Sequence, residues 1–191
     1  MLTYVNDGRF AVPRLQREFV WDGRKAAKLL DSIVSGMPIG VPMIWDTPKS
    51  QKLHLREKYH VLPPFQKRNS RVWFIIDGQQ RLSVLHHVEK GDKLDNGRLR
   101  QVDFGRVVLA LGRVEPGERV QYRRPQEGEY VPICSVLDTH WRRRLGGLGK
   151  QKLARIERYR SRLREYTMHF MFVDGILMKS SAASCESIPS G

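Results

Sequence analysis

The sequence predicts an α+β domain, because helical and strand-like hydrophobic patterns alternate along it. Apolar residues recur with helical spacing after Asp22 and again over residues 150–166. Between these segments, residues 72–76 form a continuous apolar run, which is typical of a strand buried on both faces. We therefore expect a small sheet with flanking helices and a basic helix near the C-terminus.

The first helix has the clearest local signals. Asp22 is expected to cap its N-terminus and Gly36 to end it. Its apolar face consists of Ala26, Leu29, Leu30, Ile33 and Val34. Further helices are expected from Gln79, at residues 136–144 and at residues 150–166. Strands are expected at residues 10–12, 42–45, 72–76, 102–111, 120–122, 130–133 and 168–173. The polar residues 46–70 predict a long surface loop.

The chain length of 191 residues predicts one domain, residues 1–175, followed by a Ser-rich tail, residues 176–191, that we expect to be disordered. No apolar run approaches the roughly 20 residues that a membrane helix needs. Cys134 and Cys185 form no Cys-x-x-Cys pair, which disfavours a disulfide framework or a cysteine zinc site. These features favour a cytoplasmic protein without a membrane partner.

The charge balance indicates a polyanionic partner. The chain has 34 Lys and Arg against 20 Asp and Glu, a formal net charge of +14. Proteins this basic commonly contact nucleic acid, because phosphate contacts release counterions. Residues 142–166 alone hold ten Lys and Arg but two Glu, so we expect this segment to contact the DNA backbone. Trp141, beside three arginines, is a candidate for stacking on a base.

Candidate chemistry lies where the apolar run of residues 72–76 gives way to a helix. The first N–H groups of a helix lack internal partners and bind phosphate readily. Gly78 would let a ligand approach the backbone, and Arg81 has a planar fork suited to phosphate oxygens. Asp77 suits either a magnesium ion or a helix cap, and from the residues alone a cap is the default. Gln79 and Gln80 suit a water molecule or a sugar.

Three sequence segments resemble motifs of the GmrS-like restriction family, in the same order. Residues 12–21 (VPRLQREFVW) are similar to its opening segment, and residues 30–40 (LDSIVSGMPIG) to its Ser-Ile…Gly-x-Pro-Ile-Gly segment. Residues 76–85 (IDGQQRLSVL) resemble its Asp-Gly-Gln-Gln-Arg hallmark. The resemblance covers residues 9–111 well and extends to residue 173.

The resemblance implies a ParB/sulfiredoxin-like fold with a small mixed sheet, in which the turn from Gly78 to Arg81 cradles phosphates. It also implies a nucleoside triphosphate ligand with magnesium at Asp77. The implied catalytic residues are Asp77, Gln79, Gln80 and Arg81. The implied nucleotide-binding residues are Gln16, Arg17, Gly78 and Arg81.

The implied function is binding and hydrolysis of a nucleoside triphosphate in a DNA restriction or phage-defence protein. The implied partners are DNA, which relatives recognise in modified form, and a nuclease domain or subunit. The chain itself has no recognisable His-Asn-His or PD-(D/E)xK motif, and the Ser-rich tail stands where the family has a Phe-x-Arg-x-Asn segment. The alternative is a DNA-binding module with a vestigial nucleotide pocket and no catalysis.

Overall fold

The computed structural model describes residues 8–13, 16–48, 62–63, 70–96 and 100–173. These residues form an α+β fold, as the sequence predicts. The Ser-rich tail from residue 176, and most of the loop expected at residues 46–70, lie outside the described residues. No helix in the described ranges is long and apolar enough to cross a membrane.

Five α-helices occur in the described residues. They are α1 (Gly23–Val34), α2 (Gln79–Lys90), α3 (Ile133–Leu137), α4 (Trp141–Leu145) and α5 (Lys150–Glu165). The N-terminus of α1 confirms the expected cap, since an Asp22 carboxylate oxygen accepts a 2.8 Å hydrogen bond from the Lys25 N–H. All five apolar side chains expected on the inner face of α1 are buried.

The main sheet is small and mixed. Its strands are β1 (Phe10–Ala11), β2 (Met43–Pro48), β3 (Arg71–Asp77) and β9 (Met171–Val173), in the order β1-β3-β2-β9. Strand β3 pairs in parallel with β1 and antiparallel with β2, while β9 pairs in parallel with β2. Strand β3 is an interior strand, and Val72, Phe74 and Ile75 of its apolar run are buried, whereas Trp73 and Ile76 are partly exposed.

The remaining strands form two antiparallel units. A hairpin joins β4 (Lys93–Asn96) to β5 (Arg100–Asp103). A three-stranded sheet has the order β7-β6-β8 and consists of β6 (Val107–Ala110), β7 (Val120–Tyr122) and β8 (Tyr130–Pro132). One large hydrophobic core connects these units with α1, α2 and α5.

Several expected boundaries are wrong. The strand expected at residues 102–111 is split by a 3₁₀ turn, Phe104–Arg106, where the Asp103 carboxylate accepts from the Gly105 N–H and bends the chain. The helix expected at residues 136–144 is two short helices separated at residues 138–140. Strand β2 continues to Pro48, so the surface loop cannot begin at residue 46.

Candidate functional site

The turn from β3 into α2 forces the backbone into a conformation that favours glycine. Gly78 has a φ angle of +94°, in the left-handed region. A Cβ atom at this position would lie 2.7 Å from the Pro42 Cβ, which is closer than carbon atoms pack. The left-handed φ angle and the close approach of Pro42 therefore both explain why glycine occupies this position.

The N-terminus of α2 has no side-chain cap. Its N-cap residue is Gly78, and Asp77, the last residue of β3, makes no capping hydrogen bond to the helix. The default expectation of a capping role for Asp77 is therefore wrong. The first bond within the helix joins the Leu82 N–H to the Gly78 carbonyl at 3.0 Å, so the N–H groups before Leu82 precede the helical ladder.

Arg81 is held between the turn and a preceding loop. One guanidinium nitrogen (Nη2) donates to the Asp77 carboxylate at 2.7 Å, and the other (Nη1) donates to the Ile39 carbonyl at 2.7 Å. The Arg81 side chain is 15% exposed, whereas that of Asp77 is 68% exposed. Two bonds leave three of the five guanidinium N–H donors for a ligand.

The loop that contacts Arg81 is itself fixed by α5. The Tyr166 hydroxyl, immediately after α5, accepts a 3.0 Å hydrogen bond from the Ile39 N–H. The same hydroxyl lies 3.4 Å from the Met37 carbonyl, to which it donates. Gly40 has a φ angle of +81°, and a Cβ there would lie 2.5 Å from Arg81 Nη1. Tyr166 and Gly40 thus set the position of Arg81.

The two adjacent glutamines of the turn have different surroundings. The Gln80 side-chain oxygen accepts from the N–H groups of Val20 and Trp21, at 2.9 and 3.2 Å. Its nitrogen donates to the Glu18 carbonyl at 3.0 Å. Gln80 therefore fastens the segment before α1 onto α2. The Gln79 amide is buried, 4% exposed, and neither its oxygen nor its nitrogen has a hydrogen-bond partner among the described residues.

The N-terminal segment also contacts the turn. Gln16 donates a 2.7 Å hydrogen bond from its side-chain nitrogen to the carbonyl of Ile76 in β3. Arg17, the next residue, is exposed. The structure thus brings Gln16 to the strand that carries Asp77, although sixty residues separate Gln16 and Ile76 in the chain.

A comparison with protein families shows which family has this sequence pattern. A family model described as the N-terminal domain of the GmrSD restriction endonuclease matches residues 1–174. The chain belongs to this family. The match includes all three segments on which the resemblance rests, and it ends just before the Ser-rich tail.

One curated relative of this GmrSD-type domain is an uncharacterized protein from Methanocaldococcus jannaschii. It is 31% identical over 85 residues, which are 42% of this chain and 14% of that protein. The chain therefore spans a small part of the length of the relative that it matches.

The basic helix α5 of this GmrSD-type domain uses most of its cations internally. Arg162 donates to the Val34 carbonyl at the end of α1, while Arg160 and Arg164 donate to carbonyls at the end of α3. Lys152 and Arg155 donate to carbonyls of loops. Carbonyl groups at a helix C-terminus lack internal partners and carry partial negative charge, so these arginines stabilise helix ends.

Few cations of α5 remain for a partner. Lys150 and Arg158 are exposed, and neither side chain has a hydrogen bond or ion pair within the described part of the chain. Trp141 is 6% exposed and packs in the core, with the Arg142 guanidinium 4.8 Å and the Arg160 guanidinium 5.8 Å from its ring centre. Its burial does not support a role in stacking on a base.

The core face of α2 carries two buried histidines, His86 and His87. His87 Nδ1 lies 2.7 Å from an Asp92 carboxylate oxygen, and its ring stacks on Phe104. Burial first, and then the nearby Lys90 and His87, lower the pKa of His86 to about 4. No group of three or more His, Cys, Asp or Glu side chains suited to a metal ion occurs among the residues that the structure describes.

Proposed function

We propose that this GmrSD-type domain binds a magnesium–nucleoside triphosphate at the turn between β3 and α2 and hydrolyses it in a DNA restriction or phage-defence protein. The uncapped N-terminus of α2 at Gly78, with the Arg81 guanidinium beside it, is the observation that carries the proposal. A helix end of this kind favours an anion through its free N–H groups and its dipole.

The turn places groups side by side that suit a polyphosphate. Gly78 permits the left-handed turn that starts α2 and brings Asp77 and Arg81 together. Arg81 retains donors after bonding to Asp77 and Ile39, and its bond to the Ile39 carbonyl limits the positions of its guanidinium. A fixed donor loses less conformational entropy when it binds a ligand than a mobile one does.

Asp77 fits the proposed magnesium ion. Its carboxylate is mostly exposed and lies within reach of any phosphate that Arg81 contacts, since the two side chains are 2.7 Å apart. Magnesium usually takes one or two protein carboxylates and fills its other positions with water and phosphate oxygens, so one aspartate is enough. Bound there, the ion would neutralise charge on the β- and γ-phosphates.

The N-terminal segment would complete the nucleotide site. Gln16 holds this segment against β3, and Arg17 follows it directly. An arginine here would contact phosphates from the side opposite Arg81. Contact with DNA rests on the net charge of +14 and on exposed cations such as Lys150 and Arg158.

Thermal melting with ATP, GTP, CTP and UTP, each with magnesium, tests the nucleotide proposal. A nucleotide at 100 times its Kd should stabilise the domain by roughly 2.7 kcal/mol. We expect one or more nucleotides to raise the Tm of the wild type and to have little effect on Arg81→Ala.

Arg71→Ala is the matched control. Arg71 lies at the opposite end of β3 and forms a comparable 2.8 Å ion pair with Asp46. This variant should keep the full nucleotide effect. If no nucleotide changes the Tm of the wild type but DNA binding is strong and sensitive to salt, the alternative of a DNA-binding module with a vestigial pocket is correct.

A further inference from the structure

The two glutamines of the turn differ in one respect that bears on catalysis. Both are buried, at 4% exposed for Gln79 and 8% for Gln80. All the polar atoms of the Gln80 side chain have partners in the segment before α1, whereas both polar atoms of the Gln79 side chain lack partners within the described residues. A buried amide without hydrogen bonds is unfavourable and uncommon in native proteins, so it needs an explanation.

The position of Gln79 points to the proposed ligand as that explanation. Gln79 is the first residue of α2 and follows Gly78 directly, so it lies at the end of the helix that would receive the phosphates. Ser83, one turn further along, does not use the Gln79 amide, because its hydroxyl donates to the Gln79 backbone carbonyl at 2.8 Å. The side-chain amide therefore forms no hydrogen bond with Ser83 of its own helix.

The chemistry of an unpaired amide limits what can satisfy it. Its nitrogen donates and its oxygen accepts, so phosphate oxygens, which only accept, can satisfy the nitrogen alone. A water molecule can donate to the amide oxygen while the amide nitrogen donates to a phosphate oxygen. In some nucleoside triphosphatases a glutamine orients the attacking water next to the γ-phosphate.

We infer that Gln79, and not Gln80, orients the attacking water in this domain, an inference that rests on the proposed function. The water oxygen forms a bond to the γ-phosphorus as the bond from that phosphorus to the bridging oxygen breaks. The bridging oxygen leaves with the electron pair on the nucleoside diphosphate. The protons of the water pass to inorganic phosphate and solvent. Gln80 is a positioning residue that fastens residues 18–21 onto α2.

Matched substitutions in the full chain separate the two roles. Gln79→Met and Gln80→Met both replace an amide with an apolar side chain of similar length. We expect Gln79→Met to melt at or above the wild-type temperature, because it removes unpaired polar atoms. Its kcat for the hydrolysed nucleotide should fall by about 100-fold, with the Kd changing less than about threefold. Gln80→Met should instead lower the Tm by about 4 °C or more.

Each outcome has a separate meaning. If the wild type neither binds nor hydrolyses ATP, GTP, CTP or UTP with magnesium, the proposed function and this inference are both overturned. If it binds a nucleotide without hydrolysing it, the proposed binding is supported, but the proposed hydrolysis and this inference are overturned. If it hydrolyses a nucleotide and Gln79→Met has a normal kcat, this inference alone is overturned. Gln79→Leu repeats the test if methionine prevents folding.

Discussion

The Arg81 guanidinium and the Asp77 carboxylate form a 2.7 Å ion pair that joins the first turn of α2 to the last residue of β3. The pair places a phosphate-binding group next to a potential magnesium ligand. Because Asp77 is largely exposed, the pair contributes little to folding, and its function in the proposed site can be tested without unfolding the domain.

Asp77→Asn should weaken nucleotide binding in the presence of magnesium. The amide lacks the charge that a magnesium ion prefers, so we expect about a tenfold rise in Kd with magnesium and a smaller effect without it. The free energy of unfolding should change by less than about 0.5 kcal/mol. Titration calorimetry with and without magnesium measures both values of Kd. Asp46→Asn breaks the ion pair at the other end of β3 and should bind nucleotide normally.

Gly78→Ala should destabilise the domain through both its φ angle and a steric contact. A left-handed conformation costs about 1–2 kcal/mol for a residue with a Cβ. The new Cβ would also lie 2.7 Å from the Pro42 Cβ. Gly117→Ala is a precise control, because Gly117 has a φ angle of +93° and no atom within 4 Å of an added Cβ. Urea unfolding should show a larger loss in the free energy of unfolding for Gly78→Ala than for Gly117→Ala. Equal losses would show that the contact with Pro42 does not contribute.

Tyr166→Phe should loosen the loop that holds Arg81. The substitution leaves the Ile39 N–H without its 3.0 Å acceptor, which should cost about 1–3 kcal/mol in the free energy of unfolding. The affinity for a magnesium–nucleotide should also fall, because Ile39 accepts from Arg81. Tyr159→Phe removes a hydroxyl from α5, the helix that Tyr166 follows, at a side chain that packs against the core. It should leave nucleotide affinity unchanged, and a similar loss of affinity in both variants would contradict the role of Tyr166.

The arginines of α5 should fall into two classes. Arg162→Gln removes a donor to the Val34 carbonyl and should lower the free energy of unfolding by about 1.5–3 kcal/mol, as expected for a hydrogen bond from a charged group. Arg158→Gln should not change stability, because the exposed Arg158 side chain makes no hydrogen bond to a described residue. If Arg158 contacts a DNA phosphate, its loss should reduce the slope of log affinity against log salt by about 0.9. Binding measured at several salt concentrations distinguishes the two classes.

The stability of the domain should fall at acidic pH because of His86. Its pKa is about 4 in the folded protein against 6.5 in the unfolded chain, so the unfolded chain binds the proton more tightly. The contribution is fully present above pH 6.5 and is lost as the pH falls towards 4. It amounts to at most about 3 kcal/mol. Between pH 7.5 and 4.5, the free energy of unfolding measured with urea should decline less for His86→Met than for the wild type. His169→Met, at an exposed site, should retain the wild-type decline.

Local patterns were sufficient where one segment of chain decides its own structure. The buried face of α1, its Asp22 cap, the interior strand β3 and the start of α2 at Gln79 all agree with the sequence-based expectations. The split at residues 104–106 was not anticipated, because a side-chain bond from Asp103 and a short 3₁₀ turn interrupt an otherwise continuous apolar pattern.

The sequence by itself determined the α+β class, the family motifs and the place of the turn at residues 77–81, because periodicity, turn residues and motif order are properties of the chain alone. Only the tertiary structure decided which glutamine is fastened to residues 18–21 and which basic side chains of α5 bond to distant carbonyls. Neighbouring residues of the same type are equivalent in a sequence. Their roles differ because a hydrogen bond depends on which distant segment the fold brings within about 3 Å.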